Sequence, residues 1–530
     1  MGYWSLYFIA KLALYADGKI DLHVWLNLAL CTFTALIPAN DRQRYAKNLL
    51  AGVLALTLLY YDSWLPPLQR LLLVAPNLRE FSIPYLLELS ARVVDLQTVL
   101  VLLALTGLYV LLRRKVRMAT VAFAGLLVVA ILHLPFWNRS AVAASTAGAL
   151  GADAAAARST GQGRPDVEQD PDATLREFYR QEAKRLVTPA IGESGSPYDI
   201  IIVHVCSLGW DDLDAVGLTG DAFLKRFNLM FTNFSSAASY SGPAAIRLMR
   251  ANCGQTPEAA LYTTPQNNCL LITGLENAGF EPHWLLNHDG HFGNFFSEVT
   301  RYGGLSAPLE PNTGAQVTQR AFDNTPVLGD YSVLSRWWQG RLKPGSAERV
   351  VLYYNTVSLH DGNRLLDAGS DAQALRFDTR ARRLFADLGH FMDDIRAAHR
   401  QAVVILVAEH GAAVRGERRQ MPGLREVPSP LVTRVPVGVA FVGDAQTRVT
   451  PTLRIETPTS FLALATLLSR MTASNPFDET DAAKTAELTV DLPSTRSVAE
   501  NADTVMMESG GQYLLRSPGG TWSPWVTAAP

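Results

Sequence analysis

Four stretches in the first quarter of the chain, residues 22–40, 48–64, 96–112 and 118–138, are rich in Leu, Val and Ala and almost free of charge. Crossing about 30 Å of hydrocarbon takes roughly 20 mostly apolar residues, and only a helix or a closed barrel satisfies its own backbone there. The pattern therefore predicts an α-helical, multi-span membrane domain over residues 1–138. A fifth apolar stretch, residues 3–15, is shorter and carries Lys11, so it reads equally as a fifth span or as a helix lying in the interface.

Short loops rich in Lys and Arg stay on the cytoplasmic side. Arg42, Arg44 and Lys47 form one such loop, and Arg113, Arg114, Lys115 and Arg117 form another. Placing both inside sends everything after residue 138 outside, and leaves residues 66–92, with Arg70, Arg79 and Arg92, at the outer interface. The amino end lacks a basic start followed by a small-residue cleavage site, so the apolar region reads as retained rather than as a cleaved leader.

Past that region the composition changes twice. Residues 139–173 turn to Ala, Gly, Ser and Thr with scattered Pro and Asp, a mixture that cannot bury a core and reads as a flexible linker. A charged helical stretch over 172–187 then opens a catalytic-sized domain spanning 174–530. The chain carries 47 Lys+Arg against 49 Asp+Glu, a net charge of −2 with no long run of either sign. This excludes a dedicated nucleic-acid binder, which presents a basic face.

In the exported part, residues 198–206, 349–355 and 402–408 are short β-branched runs, each ending in polar residues. Such runs, alternating with amphipathic segments such as 376–398, predict an α/β domain with a mainly parallel sheet covered by helices on both faces. Functional groups in that architecture collect at the carboxyl ends of strands. Cys206, His360, Glu409 and His410 all fall there. Thiolate, carboxylate and imidazole together are a ligand set that suits zinc. The segment Ser239-Tyr240-Ser241-Gly242-Pro243 before a helix-prone run reads as a helix start, where Ser241 either caps the helix or faces a bound anion.

Four cysteines are present, and Cys31 lies in an apolar stretch. Of the three in the exported part, Cys253 and Cys269 flank a polar loop, and closing a loop of that size contributes about 3 kcal/mol. We therefore pair Cys253 with Cys269 and leave Cys206 as the free thiol.

At these residues the sequence resembles the alkaline phosphatase superfamily and, within it, the membrane-bound phosphoethanolamine transferases, in particular those of bacterial cellulose-secretion systems. The likeness is carried by Val205-Cys206-Ser207-Leu208, the block from Ala238 to Leu248, Cys253-Gly254-Gln255-Thr256, Leu359-His360-Asp361-Gly362-Asn363, Glu409-His410-Gly411 and the run from Gly423 to Pro430. It implies one zinc ion per chain held by Cys206, Glu409 and His410, with Ser241 as nucleophile and fourth ligand. Tyr240, His360 and Arg425 are implied to bind the phosphoryl group or to move protons. The implied donor is phosphatidylethanolamine and the implied acceptor a glucose hydroxyl of secreted cellulose. The enzyme would sit in the bacterial inner membrane with its catalytic domain in the periplasm, beside subunits of the cellulose synthase complex.

Rival readings keep the fold and change the acceptor, as in a phosphodiesterase or a transferase acting on another envelope glycan or lipid, or make the chain a membrane scaffold for a polysaccharide synthase. Sulfatase chemistry is disfavoured because Ser241-Gly-Pro-Ala-Ala does not complete the Cys/Ser-x-Pro-x-Arg pattern. Ser207 is a rival nucleophile without a helix start. His283, His288 and His291 are close enough in sequence for a second metal site, although a structural or surface role suits them better. Trp284, Tyr331, Trp337 and Trp338 are either sugar platforms or core.

Overall fold

The computed structural model describes residues 3–63, 81–132 and 170–526, apart from 39, 94–95, parts of 190–195 and 370–374, 418–419, 444–451, 478–481 and 503. Most of the linker expected over 139–173 and most of the interfacial stretch expected over 66–92 lie outside the described residues, and the last three linker positions, 171–173, instead begin a helix. The chain forms two compact units, residues 1–78 with 86–167, and residues 79–85 with 168–530.

The first unit is helical: α1 (Trp4–Ala16), α2 (Val24–Ala35), α3 (Asp41–Asp62), α4 (Ile83–Val93), α5 (Leu96–Leu112) and α6 (Met118–Leu132). Asn40 starts α3 by accepting a hydrogen bond from the Gln43 amide, so the basic loop and the apolar run belong to one helix. Phe8, Leu30, Cys31, Leu58, Ala122 and Leu126 form its interior. Lys11 is buried there too, paired with Asp62 and donating to Asn27 Oδ1 at 2.8 Å. That pairing explains how a lysine is accommodated in the short first helix. Large apolar side chains face outward instead, with Leu56, Leu103 and Leu111 exposed by 71, 62 and 74 %. Among the described residues no helix is long and apolar enough to cross a membrane.

The second unit opens with α7 (Pro171–Glu182), whose Asp170 cap and first-position proline set its start. Leu175 and Phe178 pack on Val498, Val505 and Met507, so this helix is part of the domain it precedes. The main sheet uses β1 (Tyr198–Val205), β2 (Leu229–Ser235), β3 (Glu281–Leu286), β4 (Val350–Thr356), β5 (Gln401–Ala408), β6 (Arg434–Val442) and β7 (Leu453–Ile455). Their order is β7-β2-β6-β5-β1-β4-β3. Only β6 runs against its neighbours; the other pairings are parallel. Every residue of β1 and β4 is buried, which requires cover on both faces of the sheet.

Two smaller antiparallel sheets were not anticipated: one of four strands over 498–525 and one of three built from 317–320, 326–328 and 364–365. Their strands are two to six residues long, too short for alternation to stand out.

Register decides where the site forms. Val205 pairs with Thr356 on one side and with Ala408 on the other. Cys206 and Glu409 thus leave adjacent strands at the same level. Because β6 is antiparallel, its beginning lies at this same edge, and the loop before it returns Arg425 and Glu426 to the strand ends.

Cys253 and Cys269 are disulfide-bonded across a sequence separation of 16. The bridge lies just beyond α8 (Ser241–Met249), and the adjacent Asn252 amide donates to the Cys269 carbonyl. Replacing both cysteines by serine should lower stability by about 3 kcal/mol through the freed loop. Urea unfolding followed by tryptophan fluorescence reads this directly, and an unchanged midpoint would show the bridge to be energetically idle.

Candidate active site

The turn after β1 places Ser207 at φ 61°, a left-handed conformation that costs a non-glycine residue free energy. This turn is clamped by Asp212. Its carboxylate, fully buried, accepts from the Gly209 amide at 2.9 Å and, across the sheet edge, from the Ala412 and Val414 amides at 2.6 and 2.9 Å. Burial pushes Asp212 up to about 6 despite these bonds. One side chain thereby ties the Cys206 turn to the Glu409-His410 turn. Asp212 was visible in the sequence as an acid after a strand, but nothing local indicated that it bridges two loops.

Ser241 is the first residue of α8, and Tyr240 is its cap, with extended backbone and no side-chain capping bond. This differs by one position from the sequence expectation that Ser241 caps. The Ser241 hydroxyl is not spent on its own helix: Oγ lies 3.4 Å from Cys206 Sγ and 3.4 Å from His410 Nε2. Pro243 has no N–H, so the first turn offers the amides of Ser241 and Gly242 to a ligand.

Cys206, Glu409 and His410 are buried, and their ligand atoms lie within 4.8 Å of one another. Among the described residues this is the one group of three or more His, Cys, Asp or Glu side chains close enough to share an ion. His410 donates from Nδ1 to the Gly411 carbonyl at 2.9 Å, leaving the Nε2 lone pair directed at the group. Glu409 Oε1 accepts from Asn355 Nδ2 at 2.5 Å, while Oε2 is buried without a hydrogen-bond partner. An orphaned carboxylate oxygen beside a thiol and an imidazole lone pair fits a bound divalent cation. Burial and the Glu409 charge push the Cys206 thiol up to about 12, burial pushes Glu409 up to about 7, and burial lowers His410 well below the usual histidine range.

Glu409 is oriented from behind. His288 Nε2 donates to Asn355 Oδ1 at 2.9 Å, and Gly290 N donates to His288 Nδ1 at 3.1 Å. His288 therefore steers a site carboxylate through Asn355, as outer partners of metal ligands do. His283 lies elsewhere, at 2.8 Å from Glu310 and hydrogen-bonded to Trp337, and His291 is exposed, so the three histidines do not converge. Trp284, Trp337 and Trp338 are buried, as the core reading of these residues requires, and the Tyr331 hydroxyl is bonded to Asp394.

Arg425 is buried, donates to Ser207 Oγ at 3.1 Å, lies 5.6 Å over the Tyr240 ring and keeps a buried Nε without a partner. Ser207 is thus committed to Arg425 and sits within 3.3 Å of Cys206 Sγ. The Tyr240 hydroxyl donates to Glu426 at 2.8 Å. His360, on the loop after β4, donates from Nδ1 to the Asp361 carbonyl at 2.8 Å and leaves Nε2 as a proton acceptor. Burial and the Arg425 charge push it down to about 4, so it is neutral at neutral pH. Arg380 holds that loop by donating to the His360 carbonyl at 2.6 Å. Asn355, Arg380 and Glu426 were missed in the sequence because their roles depend on partners distant in the chain.

Comparison with known proteins shows the family of the chain. Residues 4–131 match the family described as cellulose biosynthesis protein BcsG N-terminal domain, and residues 155–522 match its C-terminal domain. The chain is 33 % identical, over 98 % of its length and 96 % of theirs, to the cellulose biosynthesis protein BcsG of Salmonella typhimurium and to that of Escherichia coli. A solved structure of an alkaline phosphatase superfamily protein from Vibrio parahaemolyticus superposes with a TM-score of 0.48 and 14 % identity, covering 67 % of this chain and 88 % of that one.

Proposed function

The chain belongs to the cellulose biosynthesis protein BcsG family, and from that premise we propose that it is a zinc-dependent transferase carrying phosphoethanolamine from phosphatidylethanolamine to hydroxyls of cellulose, through a covalent intermediate on Ser241. The observation that supports this best is an uncommitted serine hydroxyl at a helix start, facing a buried thiol, carboxylate and imidazole.

Cys206, Glu409 and His410 would hold the zinc, which would lower the pKa of the Ser241 hydroxyl and offset phosphoryl charge. The protein's own groups do the rest. The amides of Ser241 and Gly242 and the free N–H of Arg425 receive the nonbridging oxygens. Ser241 Oγ gives up its proton as it attacks phosphorus, its bond to phosphorus forms as the bond to the glyceryl oxygen breaks, and the leaving oxygen takes up that proton to give diacylglycerol. In the second half His360 Nε2 accepts the proton of a glucose hydroxyl as that oxygen attacks, and Ser241 leaves and is reprotonated. Arg380 sets the position of His360 through the loop backbone.

The first unit serves as the membrane anchor in this reading, with its outward Leu side chains in lipid and the catalytic unit in the periplasm. The donor then lies in the periplasmic leaflet. Partners would be the emerging glucan and the synthase subunits that deliver it.

The test uses the full chain reconstituted with phosphatidylethanolamine labelled in the ethanolamine carbons. Peptide mass spectrometry should find labelled phosphoethanolamine on Ser241, with an equal amount of diacylglycerol released, and a cello-oligosaccharide should then carry the label away. Label appearing only as free phosphoethanolamine would instead make the protein a phosphodiesterase.

A further inference from the structure

One carboxylate beside the nucleophile has no role in the chemistry above. α9 (Phe295–Gly303) packs against α8 and carries Glu298 in its first turn. The Glu298 carboxylate lies so close to Gly242 that any side chain at 242 would overlap its Oε2. Glycine at that position therefore keeps an acidic group beside the residue that follows Ser241. Glu298 is half-buried, and among the described residues no hydrogen bond or ion pair holds it. Arg301, one turn further along α9, lies over the Tyr302 ring instead, at 5.2 Å. Tyr302 meets Tyr262 edge-on at 5.5 Å, and Tyr262 is near enough to feel the Glu298 charge.

For a site that binds only phosphate, this placement is unfavourable. The helix start and Arg425 are arranged to attract negative charge, and an unpaired carboxylate next to them repels it. A partly desolvated carboxylate without a counter-ion is itself costly. Both penalties vanish when the ligand brings its own cation a short distance from phosphorus. An aminoethyl ester does so: its ammonium is two carbons from the ester oxygen. Consecutive Cα atoms are about 3.8 Å apart, so a group attached through Ser241 reaches past Gly242 with an arm of that size.

We propose, resting on the transferase reading, that Glu298 receives the ammonium group of the transferred phosphoethanolamine and so selects a zwitterionic headgroup over one that is only anionic. Glu298 is then a specificity residue that acts on the donor half of the reaction.

The experiment compares two chromogenic diesters on the full-length protein, p-nitrophenyl 2-aminoethyl phosphate and p-nitrophenyl ethyl phosphate, which differ by the ammonium. Wild type should favour the aminoethyl ester by at least about tenfold in kcat/KM. Glu298→Gln keeps size and hydrogen-bonding capacity but loses charge, and should bring the ratio close to one, whereas Glu298→Asp should retain part of the preference. An unchanged ratio in Glu298→Gln, or an equal loss on both esters, overturns the assignment. So does a variant with normal ester preference but slower transfer to a cello-oligosaccharide, which would place Glu298 on the acceptor side. Wild type that cleaves neither diester overturns the transferase reading, and the assignment with it.

Discussion

Ser241→Ala is expected to leave cellulose without phosphoethanolamine and to slow diester turnover by at least about a thousandfold, the scale on which loss of a nucleophile costs catalysis about 4 kcal/mol or more. The geometry makes this a clean substitution. Ser241 Oγ makes no capping bond and contacts only site atoms, at 3.4 Å from both Cys206 Sγ and His410 Nε2. Alanine is a good helix former and keeps the first turn of α8, so the amides that receive the phosphoryl group stay in place. Lipid binding and zinc content should be close to normal. Solid-state NMR or mass spectrometry of cellulose from cells carrying the variant gives the answer. Undiminished substitution would move the nucleophile elsewhere, with Ser207 the first residue to examine.

The second large effect is expected for Glu409→Gln, which should reduce bound zinc from about one per chain to below about a tenth, and activity by at least a thousandfold. Glutamine is nearly isosteric with glutamate. Its carbonyl oxygen still accepts from Asn355, where Glu409 Oε1 now does at 2.5 Å. The atom it changes is the orphaned Oε2, which becomes an NH2 with no lone pair for a metal. A loss of zinc therefore reports on coordination rather than on folding. The charge balance points the same way: a thiolate and a carboxylate offset a divalent cation, and a thiolate alone does not. Elemental analysis of the purified full chain measures the outcome, and normal zinc in the variant would remove Glu409 from the ligand set. Asn355→Ala offers a graded comparison, since it frees Glu409 to rotate without removing a ligand, and outer partners of this kind typically contribute 10- to 100-fold.

Much of the second unit is legible in the sequence because its central strands are buried on both faces and so read as unbroken β-branched runs. The expected strands at 198–206, 349–355 and 402–408 lie within one residue of those observed. Their polar ends follow from the same fact: the first residues past a buried strand are the first that can carry functional groups. Less accessible to sequence reading is what arrives from outside the strand. Glu298 sits on an amphipathic helix, where an acid ordinarily belongs to the solvated face, and only the packing of α9 on α8 turns it toward Gly242. Asn355 belongs to β4 and His288 to the turn just after β3, and the pairing of those two strands brings them together. Ser241 could be assigned to a helix start but not to its first position rather than its cap, since both choices use the same Ser-Gly-Pro sequence. In the first unit, Lys11 looks out of place in one dimension and becomes explicable once α1 meets Asp62 of α3.

The interleaved strand order has a consequence for the order in which the protein comes into being. Cys206 and His410 are neighbours in space but 204 residues apart in the chain. At a synthesis rate of about 5–20 residues per second, the thiol precedes its companions by roughly 10–40 s. On the proposed mechanism Ser241, already present during that interval, has no activating group until Glu409 and His410 follow. Cys253 and Cys269 also appear well before His410. In an oxidising compartment the lone thiol of Cys206 then competes for a disulfide partner until the arrival of β5 draws it into the interior. In the periplasmic setting proposed above, maturation is in that sense a race between sheet closure and oxidation.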